Sequence, residues 1–348
     1  MNGTQLYGLR RLAATLRMSR HPGIRRLTLR QKLAMNYVNK QGKLTDLDGR
    51  LYSNTFTPYY PSVAYDRFID GVTRLASGDP VPVVANFAVT ARWCCDCWHC
   101  SFSERSPRKQ LTIEQLKDSI AQLQDLGTSV IGLTGGEPLL RDDLEEILAA
   151  IDERSMPLMF TTGFGLTPER VRALKDAGLG IPVVSLDHHE AARHDKGRGV
   201  DGIFEQSVAA IRMFQDEGFY VAVSFVPDRQ LIADRDQLER ILAFFVELGV
   251  NDMRLTSPIL AGHLVDRPDQ LLDPEGVRTV HDIQRRCVAT PGHPGVFAYD
   301  FFEGREYYGC GAGLNYLFID SLGNVCPCDF AMMSFGNVTE EPIADLFE

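Results

Sequence analysis

A chain of 348 residues, 44% hydrophobic and 24% charged with a formal net charge of -10, is long enough for a large α/β core plus one small appended unit. No apolar run reaches the roughly 18 to 20 residues of a membrane span, and the first residues lack the apolar core of a secretory signal. The eight cysteines fall as Cys94, Cys95, Cys97 and Cys100, then Cys310, Cys326 and Cys328, with Cys287 apart; this is unlike an extracellular disulfide framework and fits a reducing cytoplasm.

The charge is unevenly spread. Residues 1–43 hold ten Lys or Arg and no Asp or Glu, so the remainder carries -20. Leu6, Leu9, Leu12, Ala13 and Leu16 recur at helical spacing with Arg10, Arg11 and Arg17 beside or opposite them, and His21-Pro22-Gly23 ends the pattern. Ile24, Leu27, Ala34, Tyr37 and Val38 repeat it among Arg25, Arg26, Arg30 and Lys32. Two basic amphipathic helices suit peripheral contact with an anionic membrane, the inner face in a cytoplasmic protein, and equally suit packing on the acidic body or on a partner. No nucleic-acid recognition fold accompanies them, so no nucleic acid is expected as partner.

Residues 44–61 read as an aromatic, Pro-containing connector, and Ser62 as the N-cap of a helix through about Leu75. Residues 1–80 are therefore expected to form a helical extension docked beside the entrance of the downstream barrel. From Pro82, strands near 83–90, 129–134, 157–162, 181–187, 219–226 and 251–256 alternate with helices starting after Leu111, Arg141, Thr167, Val200 and Asp234. That alternation argues for a parallel α/β sheet. Thr112 and Gln115 have capping-box spacing, and Pro168 suits a first helical position.

The first of these strands ends in Cys94, Cys97 and Cys100, spaced so that a tight loop can turn three thiolates toward one centre. Three thiolates suit an iron-sulfur cluster with one iron free for another ligand, although Cys-x-x-Cys also serves zinc half-sites and redox pairs. The second strand ends in Thr134-Gly135-Gly136-Glu137-Pro138. Its glycines let backbone approach a ligand, and its Glu can anchor a cationic group.

These two motifs in this order resemble the radical S-adenosylmethionine (radical SAM) enzymes. The resemblance runs over about residues 83–340 and implies a partial (β/α)6 TIM-type barrel. It implies that the cysteine loop holds a 4Fe-4S cluster and that Gly135, Gly136, Glu137 and Pro138 hold the methionyl amino group of S-adenosylmethionine. The family's usual Cys-x3-Cys-x2-Cys puts its first cysteine at Trp93, so this chain offers Cys-x2-Cys-x2-Cys, with Cys94 as the replacement ligand and Cys95 as second choice. A third stretch, Ser185-Leu186-Asp187 followed by His194-Asp195 and Arg198-Gly199, resembles the family's ribose-binding strand end. Ser185 and Asp187 suit a diol, and Arg198 suits the carboxylate of S-adenosylmethionine. His188 and His189 are expected to face the reaction space, and Ser224, Arg254 and Thr256 are candidates by position at further strand ends.

Cys310-x12-Gly323-x4-Cys328, then Gly336-Asn337-Val338, resembles the opening half of a SPASM/twitch domain. The resemblance implies Cys310 and Cys328 as ligands of an auxiliary 4Fe-4S cluster; buried free cysteines in a β-hairpin are the alternative. The expected domains are the extension 1–80, the barrel 81–288 and a small hairpin and cysteine region 289–348. The implied enzyme takes an electron from a donor such as flavodoxin or ferredoxin and reductively cleaves S-adenosylmethionine. The 5'-deoxyadenosyl radical so formed takes hydrogen from an unactivated carbon, with Cys94, Cys97 and Cys100 as the catalytic set. A membrane-bound arm points to a lipid substrate, the SPASM-like tail to a peptide. The rival is a non-catalytic iron-sulfur or zinc protein, an electron carrier or scaffold.

Overall fold

The computed structural model describes residues 2–102, 110–304, 309–331 and 333–347, and not the side chains of Arg26, Ala34, Met35 or residues 37–39, so the amphipathic pattern read at Arg26, Ala34, Tyr37 and Val38 lies outside the described side chains. Thr4–Gln5 (β1) leads into Gly8–Met18 (α1), Pro22–Arg26 (α2) and Leu29–Lys40 (α3), then Thr45–Leu47 (β2), Arg50–Tyr52 (β3) and Val63–Ala76 (α4). The alternating unit comes next as Val84–Thr90 (β4), Ile113–Leu126 (α5), Val130–Gly135 (β5), Leu144–Ala149 (α6), Met156–Thr161 (β6), Pro168–Asp176 (α7) and Ile181–Ser185 (β7). It continues through Ala191–Arg198 (α8), Ile203–Asp216 (α9), Ala222–Phe225 (β8), Arg229–Ala233 (α10), Arg235–Leu248 (α11), Asp252–Leu255 (β9), Pro274–Ala289 (α12) and Gly295–Ala298 (β10). Tyr299–Phe302 (α13), Tyr316–Ile319 (β11), Asn324–Cys326 (β12), Gly336–Asn337 (β13) and Ile343–Phe347 (α14) complete it.

The six expected strands are β4 to β9, paired parallel in sequence order. Their residues are almost all buried, as a parallel sheet covered on both faces requires. The caps read from sequence are present: Thr112 and Gln115 exchange side-chain and backbone hydrogen bonds at the start of α5, and Thr167 accepts from the Arg170 N–H at α7. The sheet extends beyond the six. β10 pairs parallel with β9, and β11 pairs parallel with β4 before β12 and β13 continue antiparallel. The cysteine-bearing hairpin is therefore continuous with the barrel sheet, which runs straight through the expected boundary at residue 289.

Two readings of the N-terminal part differ from the structure. The connector contains a hairpin, β2 to β3, turned by Asp48 and Gly49 with φ of 52° and 79°, the backbone of a two-residue type I′ turn. And the extension docks at the opposite end from the barrel entrance. Leu47, Tyr52 and Phe56 cluster with Val130, Met156, Ile181 and Ala222, each the first residue of its strand. The open N-terminal end of the sheet exposes apolar side chains, where Tyr52 stacks on Tyr220 at 4.5 Å, and Phe56 reaches on through the barrel interior to Phe297 and Tyr299, 5.2 and 5.9 Å away near the strand C-termini. The Thr55 N–H and hydroxyl fix this plug by donating to the buried Asp252 carboxylate at 2.7 and 2.6 Å.

Candidate active site

The C-terminal ends of β4 to β9 surround one cleft. It is lined by the cysteine loop, by Thr134 to Glu137, by Thr161 and Thr162, by Ser185 and Arg198, and by Ser224, Arg254 and Thr256. Such ends are where a parallel α/β barrel gathers its chemistry. Cys94, Cys95, Cys97 and Cys100 all line it, with Cys95 the most buried of the four.

The cysteine loop is held by backbone contacts from two distant elements. The Asp96 and Trp98 N–H groups donate to the Arg198 and Gly197 carbonyls at the end of α8, at 2.8 and 3.1 Å. From beyond β9, the His263 N–H donates to the Cys100 carbonyl at 2.9 Å while His263 Nδ1 meets the Cys97 carbonyl at 2.9 Å. Gly262 makes this approach possible, since a Cβ there would stand 2.1 Å from the Cys100 oxygen. Neither Gly262 nor His263 had a sequence signal, because the contact joins segments far apart in the chain.

Within the loop the thiols are not equivalent. A hydrogen bond from Cys95, followed by the charges of Arg198 and His99, holds the Cys97 thiol down at about 5 against its burial. Cys94 is lowered chiefly by the Cys95 hydrogen bond, whereas Cys95, the partner common to both, is raised. Cys94 and Cys97 are thus disposed to be thiolates, the form that ligates iron. Among the described residues no group of three or more His, Cys, Asp or Glu side chains is arranged for a single metal ion. The donor chemistry, two lowered thiols and Cys100 on one cleft wall, fits an iron-sulfur cluster.

The Gly135 to Glu137 segment is bound to the root of the same loop. The Gly136 N–H donates to the Thr90 carbonyl at 2.9 Å, and the Glu137 N–H to the Arg92 carbonyl at 2.8 Å. A Cβ on Gly136 would lie 1.8 Å from the Arg92 oxygen. Gly136→Ala is therefore expected to destabilise the fold by about 1–3 kcal/mol, as overpacking does, measured by urea unfolding beside the unaltered chain. Pro138 opens a 3-10 turn over Pro138–Leu140 that drives the Glu137 side chain inward. There its carboxylate accepts from the Thr161 hydroxyl (2.6 Å), the Thr162 N–H and hydroxyl (2.7 Å each) and the Leu139 N–H (3.2 Å). Four accepted bonds use the capacity of a carboxylate, so Glu137 ties β5 to β6, and burial raises its pKa. Thr162 also reaches Cys94 Sγ at 3.5 Å.

Ser185 lines the cleft, and Asp187 stands behind it. The Asp187 carboxylate pairs with Arg198 Nη2 at 2.6 Å and His99 Nε2 at 3.5 Å, and accepts from the Val226 N–H at 3.0 Å. Burial would raise this carboxyl, and Arg198 with His99 outweighs it, holding it well below the usual carboxylate range. Arg198 in turn donates to Cys97 Sγ at 3.5 Å. The residues expected to meet the ribose and the carboxylate thus also form one chain, Asp187 to Arg198 to Cys97. His188 and His189 are not among the cleft-lining residues; their rings stack at 4.7 Å, and His188 Nδ1 accepts from the Glu190 N–H.

His194 adds a pH dependence. Burial pushes its pKa down to about 4 from 6.5, and its Nδ1 accepts from the Asp187 N–H at 3.1 Å, a bond that protonation removes. Between pH 6.5 and about 4 the unfolded chain binds a proton that the folded chain excludes, so stability falls on acidification across that window. The contribution approaches about 1.4 kcal/mol per pH unit. Urea unfolding at pH 7 and pH 5 is expected to show a smaller pH difference for His194→Gln than for the unaltered chain.

Beneath the cysteine loop lies a polar floor. Arg254 is buried, donates from Nη1 to the Ser224 hydroxyl at 3.2 Å, and is flanked by the Phe160 and Tyr299 rings at 5.2 and 4.9 Å. Its nearest carboxylate, Asp329 from the C-terminal hairpin region, stays at 3.9 Å. Among the described residues Asn86 Oδ1 and Thr256 Oγ1 are buried with no hydrogen-bond partner. Asn86 and Asp329 had escaped sequence reasoning, one lying within a strand and the other beyond a distant cysteine.

In the C-terminal part, Cys310 is exposed, Cys328 is half-buried, and burial raises Cys328 with Asp329 and Cys310 adding to it. Cys326 is packed against Ala88 and Phe318. Cys287 belongs to the main apolar core, with Lys43, Arg286 and Glu239 as its charged neighbours.

Residues 94–254 match the family described as the radical SAM superfamily, and residues 310–348 match the iron-sulfur cluster-binding domain SPASM. The AdoMet-dependent heme synthase of Methanosarcina barkeri is 26% identical over 291 residues, covering 77% of this chain and 82% of that protein. The protein of the same name from Nitratidesulfovibrio vulgaris is 24% identical over 307 residues, covering 80% of this chain and 82% of its own. Among solved structures, Streptococcus suis SuiB bound to its precursor peptide SuiA aligns with a TM-score of 0.65 at 15% identity, over 98% of this chain and 78% of that one. anSMEcpe with bound AdoMet aligns at 0.60 and 15%, over 77% and 80%. These structural likenesses are likenesses of fold.

Proposed function

The chain belongs to the radical SAM superfamily, as an enzyme with a SPASM region, and from that premise we propose that it abstracts hydrogen from an unactivated carbon of a peptide substrate bearing an anionic group. The family's cofactors are a 4Fe-4S cluster and S-adenosylmethionine, with auxiliary iron-sulfur in SPASM regions. When bound, they supply one-electron cleavage of the sulfonium and a 5'-deoxyadenosyl radical that takes the hydrogen atom. In this reading Cys94, Cys97 and Cys100 hold the cluster, and Cys95 stays a thiol beside them. Arg198 steadies Cys97 and is itself oriented by Asp187. Ser185 meets the ribose. With the Glu137 carboxylate saturated, the backbone of Gly135 and Gly136 is left to meet the methionyl amino group. Cys310 and Cys328 are the ligands offered to auxiliary iron-sulfur.

The observation that carries the reading is the convergence of the cysteine loop, the glycine segment and Ser185 on one cleft. Arg254 supplies the substrate side: a buried guanidinium facing the cleft, with the Asp329 carboxylate no nearer than 3.9 Å, suits a substrate carboxylate or phosphate. Asn86 and Thr256 offer it further polar contacts. A peptide is favoured over a lipid because the basic arm, the ground for a lipid, is tied to the other end of the barrel, where Asn2 donates to the Gln215 and Phe219 carbonyls ahead of β8, whereas Asp329 from the SPASM region reaches the cleft. SuiB bound to SuiA is a peptide-bound relative in fold. A heme-type substrate is the second reading, favoured by the two curated relatives.

The test is 5'-deoxyadenosine formation by anaerobically reconstituted protein given S-adenosylmethionine and dithionite, with and without candidate acidic peptides and porphyrins. Product above a Cys97→Ala/Cys100→Ala control is expected, rising with the right substrate. Reconstituted protein that holds zinc and no iron-sulfur cluster would sink the reading.

A further inference from the structure

α1 is an amphipathic helix turned the unusual way round. Its inner face is anchored to the body: Arg11 Nη2 donates to the Gly42 carbonyl at 2.8 Å, and Met18 packs against the cluster of Ile24, Tyr65 and Ile69. The Arg17 guanidinium lies beside that face, 5.2 Å from the Tyr60 ring centre. At 100° per residue, Leu9, Leu12 and Leu16 stand on the opposite side, and they are 83%, 54% and 56% exposed. A surface helix ordinarily turns its apolar stripe to the core. Here a mixed side of Arg11, Ala14, Thr15 and Met18 is half-buried and the leucines face out. α3 adds Leu29 and Leu33, 74% and 60% exposed and one helical turn apart. In the same stretch of chain Arg10, Arg20, Arg25 and Arg30 are also exposed, and residues 1–43 contain no carboxylate side chain.

We propose that this leucine and arginine face of α1, continued by the start of α3, docks the enzyme on an anionic lipid bilayer. Leucines entering the acyl boundary while flanking arginines bind headgroup phosphates is the arrangement of an interfacial helix. The charge is complementary to an anionic surface, and each basic residue near it strengthens binding. Among the described residues no helix is long and apolar enough to cross a membrane, so α1 lies in the surface plane. A two-fold contact with a second copy would set the arginines of both against one another, which disfavours that occupant. Asn2 donates to the Gln215 and Phe219 carbonyls ahead of β8 and Lys43 to the Thr290 and His293 carbonyls ahead of β10, so the arm that carries the docking face is held at the end of the barrel away from the cysteine loop, and the surface serves as a tether independent of the substrate reading above.

The experiment is flotation of the full chain with phosphatidylcholine vesicles, with or without phosphatidylglycerol, at low and high salt. Leu9→Gln/Leu12→Gln/Leu16→Gln and Arg10→Glu/Arg20→Glu variants run beside it. The unaltered chain is expected to float with phosphatidylglycerol vesicles alone and to be released by salt. The arginine variant should partition at least about thirty-fold more weakly, and the leucine variant should stay unbound. Both substitute exposed side chains, so melting temperature should be unchanged, which separates lost docking from lost folding. Failure of the unaltered chain to float, or flotation of the leucine variant equal to it, overturns the proposal. So does a vesicle-free dimer that the leucine variant abolishes, since the face is then covered by a second copy.

Discussion

Cys97→Ala protein taken through anaerobic reconstitution is expected to form 5'-deoxyadenosine no faster than a protein-free control and to lack the visible absorbance of a 4Fe-4S cluster. Cys95→Ala is expected to keep both. The contrast arises from the loop. Cys97 is the thiol held lowest, at about 5, and the one Arg198 reaches, while Cys95 is raised and buried. Cys94→Ala should behave like Cys97→Ala. If Cys94→Ala retains cluster and Cys95→Ala loses it, the second-choice ligand is the true one. Iron content and 5'-deoxyadenosine yield, measured on the same samples, decide it.

Arg198→Met is expected to cost about 3–5 kcal/mol of stability, because removing one partner of a buried ion pair strands the other charge. Asp187 and Arg198 side chains are only 11% and 6% exposed, and their contact is 2.6 Å. Adding Asp187→Asn should recover much of that loss, since the amide oxygen still accepts from the Val226 N–H and no buried charge remains. Urea unfolding of the two single variants and the double closes the cycle. A second readout is iodoacetamide alkylation of Cys97 against pH in cluster-free protein. Its midpoint should move up from about 5 in Arg198→Met, yet stay below an ordinary thiol, because the Cys95 hydrogen bond remains as the largest lowering cause. Unchanged alkylation would show that Arg198 does not act on Cys97.

How much of this was legible depends on whether the signal is local. β4 to β9 were readable because buried parallel strands are short apolar runs, and Thr112 and Thr167 because capping is settled within four residues. The Cys94 to Cys100 and Gly135 to Pro138 motifs were readable for the same reason. The hairpin at Asp48-Gly49 was a missed opportunity, since Asp-Gly between short apolar segments is a strong hairpin signal; the prolines and aromatics around it read as a connector. Pairing of β11 with β4, the clamp of Gly262 and His263 on the cysteine loop, and the entry of Asp329 into the cleft join remote segments, and no window of sequence contains them. The direction in which α1 faces was open for a related reason: periodicity defines a stripe but not which side of the helix the body takes. The joining of the region expected from residue 289 to the barrel sheet was open for the same reason, since β4 as an edge that a later strand could occupy leaves no mark in the local sequence.

That edge has a consequence for synthesis. Asn86 on β4 hydrogen bonds to Tyr316 on β11 across 230 residues of chain. At roughly 5–20 residues per second, β4 emerges about 10 to 50 s before the strand that covers it. During that interval the strand that launches the cysteine loop is one side of a growing sheet with its hydrogen-bonding groups unclaimed, the condition that invites strands of neighbouring chains to add on. Pairing at such separation is slow in any case. Recovery of soluble protein should therefore be governed by how long nascent chains wait for β11, and slower expression at lower crowding of ribosomes, or chaperones that shield strand edges, should raise the yield more than any change to the finished fold.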